Sequence, residues 1–281
     1  MTPPSGAPAP IGALPAGFVL EGDATRGWCA VREDLTGAFA SSGFGLDADG
    51  ATRTTELGGR DALSELVLDE DAPSALLRRH RRGGLAARLG FERFADPARP
   101  FDELRLSESL RDDGVRTPRI LAARAKRVGS RFELALVVER VDRARDLFAA
   151  LTLARPHERH ELVRAAARFV AELFDAGLDH RDLHPKNLLV EPGESPDDPP
   201  RLWVLDLDRC ARRQPLPEAR RAAALARCLR WCLRRRVELA FTRTDALRFL
   251  RAHLPAGAAW RPTWRVLQRS AERRLKVRLG R

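Results

Sequence analysis

The sequence predicts an α+β fold of two lobes, with strands in the first half and helices in the second. The chain has 281 residues, 44% of them hydrophobic, which is enough for one large domain or for two lobes. Up to about residue 140, short apolar runs are broken by glycine and aspartate. After it, apolar residues recur every three or four positions, as in helices. No apolar stretch approaches the roughly 18 residues of a membrane span, which argues against an integral membrane protein.

The first lobe is expected over residues 18–139, after a disordered Pro/Ala/Gly-rich lead at residues 1–17. Glycine and aspartate interrupt the apolar runs from residue 17 to residue 70, as is typical of strands joined by turns. Beyond the pair Gly58-Gly59, which marks a turn, strands are predicted at 63–68, 74–79, 119–124 and 131–139.

One helix is predicted within this lobe, at residues 97–112. Phe101, Leu104 and Leu110 give it apolar positions, and Gly114 supplies a stop signal. The first lobe is therefore expected to be a small antiparallel sheet with a single helix.

The second lobe is expected to be larger and helical, over residues 140–281. Pro156 opens a long segment with one apolar stripe, which ends at Gly177. A polar loop follows from His180, then a short buried strand at 201–207, and the sequence is helical and basic after Pro217.

The net charge of +11 is concentrated at the end of the chain. From Arg209 onward there are 21 basic and 4 acidic residues, a net charge of +17, so the preceding residues carry −6. Such a tail is expected to meet a phosphorylated substrate, an anionic membrane or nucleic acid, or to be a solvated face. With 6% aromatic residues and no nucleic-acid motif, nucleic acid is not expected.

The most informative stretch reads His-Arg-Asp-Leu-His-Pro-Lys-Asn-Leu-Leu-Val and begins at His180. It places Asn187 five residues after Asp182, and the next apolar strand ends at Asp206. Phosphoryl transfer from ATP needs such a set, because one carboxylate orients and deprotonates the attacking hydroxyl while an amide oxygen and a second carboxylate hold Mg²⁺. Ordinary polar loop residues are the alternative, but the full spacing is far more specific than a short HxD match.

This segment resembles the catalytic loop of the protein-kinase-like superfamily. The upstream sequence Arg-Arg-Gly-Gly-Leu at 81–85 is similar to a segment of the 3-deoxy-D-manno-octulosonic acid (Kdo) kinases, which belong to the lipopolysaccharide kinase group. The resemblance covers about residues 58–210 together with the basic helical tail. It implies a two-lobed protein-kinase-like fold, with ATP and Mg²⁺ as cofactors.

The resemblance also assigns roles to particular residues. Asp182 is expected to be the catalytic base, and Asn187 and Asp206 the Mg²⁺ ligands. Arg78 stands on a strand where kinases usually place the lysine that contacts the ATP phosphates, and Arg79 is the alternative in register. Arginine can bridge phosphates in a bidentate way, although it is not equivalent to lysine.

Further assignments each have a plainer alternative. Glu103 is expected to pair with that arginine, or to be an exposed helix glutamate. Gly58-Gly59 is expected to belong to the loop that covers the phosphates, or to form a simple turn. Lys186 is expected to contact the γ-phosphate, or to be a solvated loop lysine. His180 is expected to support the loop through backbone hydrogen bonds.

The resemblance implies transfer of the γ-phosphate of ATP to the 4-hydroxyl of Kdo on a Kdo-lipid A precursor, in lipopolysaccharide core biosynthesis. The expected partners are that anionic glycolipid and the cytoplasmic face of the inner membrane, which basic residues would contact peripherally. A related kinase acting on a core heptose, another small molecule or protein Ser/Thr is one alternative. A basic pseudokinase or nucleic-acid-binding protein is another, although the intact set Asp182, Asn187 and Asp206 argues against a dead kinase. The oligomeric state is left open.

Overall fold

The computed structural model describes residues 10–54, 63–81, 93–195 and 198–278, with side chains described as far as residue 272. The chain divides into two compact units. The first unit holds the described residues up to Ser109 together with Pro118–Arg140, and the second holds Leu110–Thr117 and the residues from Val141 onward.

The first unit is built on an antiparallel sheet of seven strands in the described residues, in the order β1-β2-β6-β7-β5-β4-β3. Their bounds are Phe18–Asp23 (β1), Gly27–Arg32 (β2), Thr52–Thr54 (β3), Leu63–Leu66 (β4), Ala75–Arg79 (β5), Ile120–Val128 (β6) and Arg131–Glu139 (β7). The strands predicted from the sequence correspond to β4–β7. The pair Gly58-Gly59 lies outside the described residues, and so do residues 82–85 of the Arg-Arg-Gly-Gly-Leu segment.

Both faces of this sheet are covered by apolar side chains. Along β7, Leu134 and Leu136 face one core cluster while Ala135 and Val137 face the other, because successive residues of a strand point to opposite faces. The predicted helix is present as α2 (Arg99–Asp112), and it contributes buried phenylalanine and leucine side chains to the first cluster.

Two segments of this unit differ from the sequence prediction. A short helix, α1 (Thr36–Ser42), follows a 3₁₀ turn in a region where only strands and turns were expected. Its sequence signal was weak, because Phe39 is the one buried side chain in its seven residues. Residues 10–17, expected within a disordered lead, include the fully buried Ile11, whose carbonyl oxygen accepts a 2.7 Å hydrogen bond from Arg105 Nη1.

The second unit contains five described helices and five short strands. The helices are Leu147–Leu153 (α3), Pro156–Asp175 (α4), Glu218–Arg234 (α5), Arg243–His253 (α6) and Trp260–Arg278 (α7). The strands are Arg145–Asp146 (β8), Leu178–Asp179 (β9), Leu188–Glu191 (β10), Arg201–Val204 (β11) and Ala211–Arg212 (β12), arranged as β11-β10-β8 and β12-β9. The predicted apolar stripe of α4 is buried. In the described ranges, no helix combines the length and apolar character needed to cross a membrane.

Gly177 joins α4 to β9 and is expected to be intolerant of substitution. Its φ is +82°, and a Cβ there would collide with the carbonyl oxygen of Arg213. Gly114 serves as the comparison, because its φ is +78° but a Cβ there would meet open space. Left-handed backbone costs an L-residue roughly 1–2 kcal/mol, so we expect Gly114→Ala to lose about 1 kcal/mol of stability. Gly177→Ala should lose about 2–3 kcal/mol or more, because the backbone must also shift. Urea denaturation measures both, and equal losses would contradict this expectation.

Candidate active site

The strand arrangement of the second unit places the predicted metal-ligating residues at one end of a hairpin. β10 begins directly after Asn187, and β11 ends two residues before Asp206. The two strands pair antiparallel with Leu188 opposite Val204, and the Leu205 N–H donates to the Asn187 carbonyl oxygen at 2.9 Å. Asn187 and Asp206 therefore lie at the same end of this hairpin.

His180 ties the loop to the strand that precedes Asp206. Its buried Nε2 lies 2.9 Å from the Leu205 carbonyl oxygen, and its Nδ1 accepts a 3.2 Å hydrogen bond from the Asp182 N–H. This pairing assigns the proton to Nε2, and burial lowers the pKa of the imidazole, so the ring is neutral. Arg227 Nη2 donates to the His180 carbonyl oxygen at 2.9 Å. The supporting role expected of His180 is confirmed.

Asp182 presents an exposed carboxylate, with 74% of its side chain accessible. Its Oδ2 lies 3.4 Å from His184 Nε2. The hydrogen bond from His184 lowers the pKa of Asp182, and the nearby positive charge of Arg227 acts in the same direction against partial burial. The carboxylate is thus ionised near neutral pH and able to accept a proton.

Asn187 and Asp206 offer oxygen atoms of the kind that Mg²⁺ prefers. Asn187 Nδ2 donates to the Asp182 carbonyl oxygen at 2.8 Å, which directs the amide nitrogen into the loop and leaves the amide oxygen as the ligand atom. The exposed Asp206 has a φ of +56°, a left-handed conformation that non-glycine residues adopt at a cost and that is found at functional sites.

Lys186 is exposed but not simply solvated. Its Nζ lies 5.1 Å from the centre of the Phe148 ring, a cation–π distance. This contact places the ammonium group beside α3, on the same loop as Asp182.

In the first unit, Arg78 and Glu103 form a buried ion pair between β5 and α2, with Nη2 and Oε1 2.5 Å apart. Arg79 instead pairs with the half-exposed Asp49 at 2.6 Å, because neighbouring strand residues face opposite ways. Of the two register alternatives, Arg78 is the one that meets Glu103, and the exposed-glutamate alternative is wrong.

His80 is a third member of this cluster, and sequence reasoning missed it. Its Nε2 lies 3.5 Å from Glu103 Oε2, at the outer limit of a hydrogen bond. Its position two residues after Arg78, on the same face of the extended chain, was the available signal. Burial raises the pKa of Glu103, but the charge of Arg78 and the contact with His80 more than offset it and hold the pKa at about 2.

Glu103 is expected to make the stability of the protein fall in acid. Its pKa is about 2 when folded against an ordinary 4.5, so its stabilising contribution is complete above pH 4.5 and is lost as the pH falls towards 2. The contribution is on the order of 3 kcal/mol. In urea denaturation, the stability difference between wild type and Glu103→Gln should shrink by about 2 kcal/mol between pH 6 and pH 3. A difference that is constant with pH would contradict this.

Only some of the arginines of α5, which belongs to the basic tail, face solvent. Several are engaged inside the second unit: Arg221 contacts Asp175 at 2.9 Å, Arg227 meets the His180 carbonyl, and Arg230 is buried. Arg234 remains exposed, and an exposed stripe of Arg261, Arg265 and Arg269 lies on α7.

Comparison with known proteins gives consistent matches. The family model described as the lipopolysaccharide kinase (Kdo/WaaP) family matches residues 55–253. A 3-deoxy-D-manno-octulosonic acid kinase of Stenotrophomonas maltophilia (strain K279a) is 33% identical over 213 residues, 74% of this chain and 79% of that protein. The protein of the same name from Vibrio cholerae is 34% identical over 138 residues, which are 48% of this chain and 55% of that protein.

Among solved structures, "WaaP in complex with acyl carrier protein" matches with a TM-score of 0.53 and 24% sequence identity. The match covers 79% of this chain and 88% of that chain. At this identity the likeness concerns the fold alone, and it confirms the predicted protein-kinase-like fold.

Proposed function

Because this chain belongs to the lipopolysaccharide kinase (Kdo/WaaP) family, we propose that it transfers the γ-phosphate of ATP to the 4-hydroxyl of Kdo on a Kdo-lipid A precursor. The observation that carries the proposal is the His180–Asn187 loop, whose hydrogen bonds present an ionised Asp182 beside the Asn187–Asp206 end of a hairpin. Relatives named as Kdo kinases support the acceptor.

Asp182 is the proposed catalytic base. It orients the acceptor hydroxyl and takes its proton as the oxygen bonds to the γ-phosphorus and the bond from that phosphorus to the bridging oxygen of ADP breaks. The lowered pKa of Asp182 keeps the carboxylate ready for this step. Asn187 and Asp206 would hold Mg²⁺, which neutralises phosphate charge when bound.

Phosphate contacts are proposed for three further sites. Arg78, held by Glu103, is a planar guanidinium that can bind two phosphate oxygens at once. Lys186 is proposed to contact the γ-phosphate, and Gly58-Gly59 to cover the phosphates with backbone amides.

The acceptor is tested by incubating the protein with Mg-ATP and Kdo-lipid IVA and weighing the lipid by mass spectrometry. A gain of one phosphate is expected, with none on lipid IVA that lacks Kdo. If the Kdo-lipid gained no phosphate, Kdo would be rejected as the acceptor. If only a heptose-bearing lipid were phosphorylated, the core heptose would be the acceptor.

We also propose that the protein associates peripherally with the inner membrane through exposed arginines. Arg234, Arg265 and Arg269 are exposed, and Val266 beside the latter pair is 51% exposed. A basic residue near an anionic surface contributes about 1 kcal/mol. Changing these three arginines to glutamine should weaken binding to phosphatidylglycerol vesicles at least tenfold, whereas Arg53→Gln with Arg131→Gln, exposed in the first unit, should not. Equal effects would reject this surface.

A further inference from the structure

An aromatic cluster links helix α5 to the loop that carries Asp182. The rings of His184 and Trp231 are stacked, with centroids 4.8 Å apart and planes at 21°. Phe148 of α3 meets Trp231 edge-on at 5.6 Å and 88°, and the Arg235 guanidinium lies 4.3 Å from the Trp231 ring centre. Trp231 is therefore held on several sides and acts as a fixed surface for His184.

His184 is the point at which this cluster reaches Asp182. Its side chain is only 13% exposed, whereas the Asp182 side chain, 3.4 Å away, is 74% exposed. An exposed carboxylate can rotate among several rotamers, so a partner that is itself immobile narrows its positions. Phe148, which packs against Trp231, also contacts Lys186, whose Nζ lies 5.1 Å from the centre of the Phe148 ring. Two side chains of the loop thus rest on Trp231 and Phe148.

We propose that Trp231 is a positioning residue for phosphotransfer: it fixes the His184 imidazole, which in turn holds the Asp182 carboxylate in the orientation that accepts the hydroxyl proton. This inference rests on the proposed function of Asp182. It makes α5 part of the apparatus that orders the loop, in addition to its packing in the helical unit. His184 is positioned by stacking on a flat aromatic ring, so another aromatic side chain at position 231 should largely preserve its orientation.

The kinetic test compares Trp231→Leu with Trp231→Phe. We expect Trp231→Leu to lower kcat about 10-fold to 100-fold with KM for ATP within about twofold, because misplacement of a catalytic group slows chemistry more than binding. Trp231→Phe should keep kcat within about threefold. The matched control is Trp260→Leu, which should keep wild-type kcat, since Trp260 begins α7 beside the Arg261 guanidinium and belongs neither to this cluster nor to the β10–β11 hairpin. Wild-type kcat in Trp231→Leu, or equal losses in Trp231→Phe and Trp231→Leu, would overturn the proposal.

A second measurement tests the contacts of His184 directly. It needs no acceptor substrate and does not depend on the folding of Trp231→Leu. In protein labelled with ¹⁵N-histidine, the His184 ring signals, assigned with His184→Gln, should show the ring-current displacement of a stacked imidazole. They should also shift in Asp182→Asn, because the two side chains touch. His184 signals that do not change in Asp182→Asn would overturn the positioning role. Wild-type protein that phosphorylates no Kdo-lipid would reject the proposed function instead, and the NMR result would still decide whether the His184 ring is stacked and touches Asp182.

Discussion

Asp182→Asn is expected to lower kcat for phosphotransfer by about 10³-fold and to leave KM for ATP within about twofold. A general base contributes typically 10²–10⁴-fold, and asparagine keeps the size of aspartate but cannot take the proton. The Asp182 side chain is largely exposed, so the substitution should not unfold the loop, whose backbone is held by His180. Single-turnover transfer of labelled phosphate measures the effect.

The control for this substitution is Glu238→Gln, which removes an exposed carboxylate from the same unit. It should leave kcat unchanged. If Asp182→Asn kept kcat within tenfold of wild type, another group would have to accept the hydroxyl proton, and the assignment of Asp182 would be wrong.

Glu103→Gln is expected to cost about 3–5 kcal/mol of folding free energy and to raise KM for ATP. Breaking a buried ion pair leaves the partner charge uncompensated, and Arg78 and Glu103 are only 16% and 6% exposed. The loss should also free the guanidinium to leave the orientation in which we propose that it binds phosphate. Urea denaturation and steady-state kinetics measure the two effects.

The matched control is Asp47→Asn, which breaks the exposed pair of Asp47 with Arg26 in the same unit. Those side chains are 86% and 56% exposed, and a surface pair of this kind contributes about 0–1 kcal/mol. A loss in Glu103→Gln no larger than in Asp47→Asn would show that burial does not strengthen the Arg78–Glu103 pair.

Local pattern predicted much of this fold. The strands β4–β7 and the helix α4 could be recognised from the spacing of their apolar residues. Apolar residues repeat every second position in a strand and every third or fourth position in a helix. The loop from His180 to Asn187 was recognisable for the same reason, since the spacing of its polar residues is local. Helix α1 escaped, because seven residues with one buried side chain carry no periodic signal.

Contacts between residues far apart in the chain could not be predicted from the sequence. Nothing in the order of residues places Trp231 against His184, because helix packing and not spacing brings them together. The surroundings of the arginines on α5 could not be predicted for the same reason. A charge pattern cannot distinguish an arginine that faces solvent from one that, like Arg227, donates to a backbone carbonyl inside the unit.

We propose above that this chain phosphorylates the 4-hydroxyl of Kdo, with Asp182 as the base. The most direct measurement is a two-dimensional ¹H–³¹P NMR spectrum of the product made from Mg-ATP and Kdo-lipid IVA. We predict a cross-peak between the new phosphorus and the proton on carbon 4 of Kdo, which is missing when Asp182→Asn replaces the wild type for the same time. If the new phosphorus correlated with any other sugar, or if the lipid gained no phosphorus, the 4-hydroxyl of Kdo would not be the acceptor.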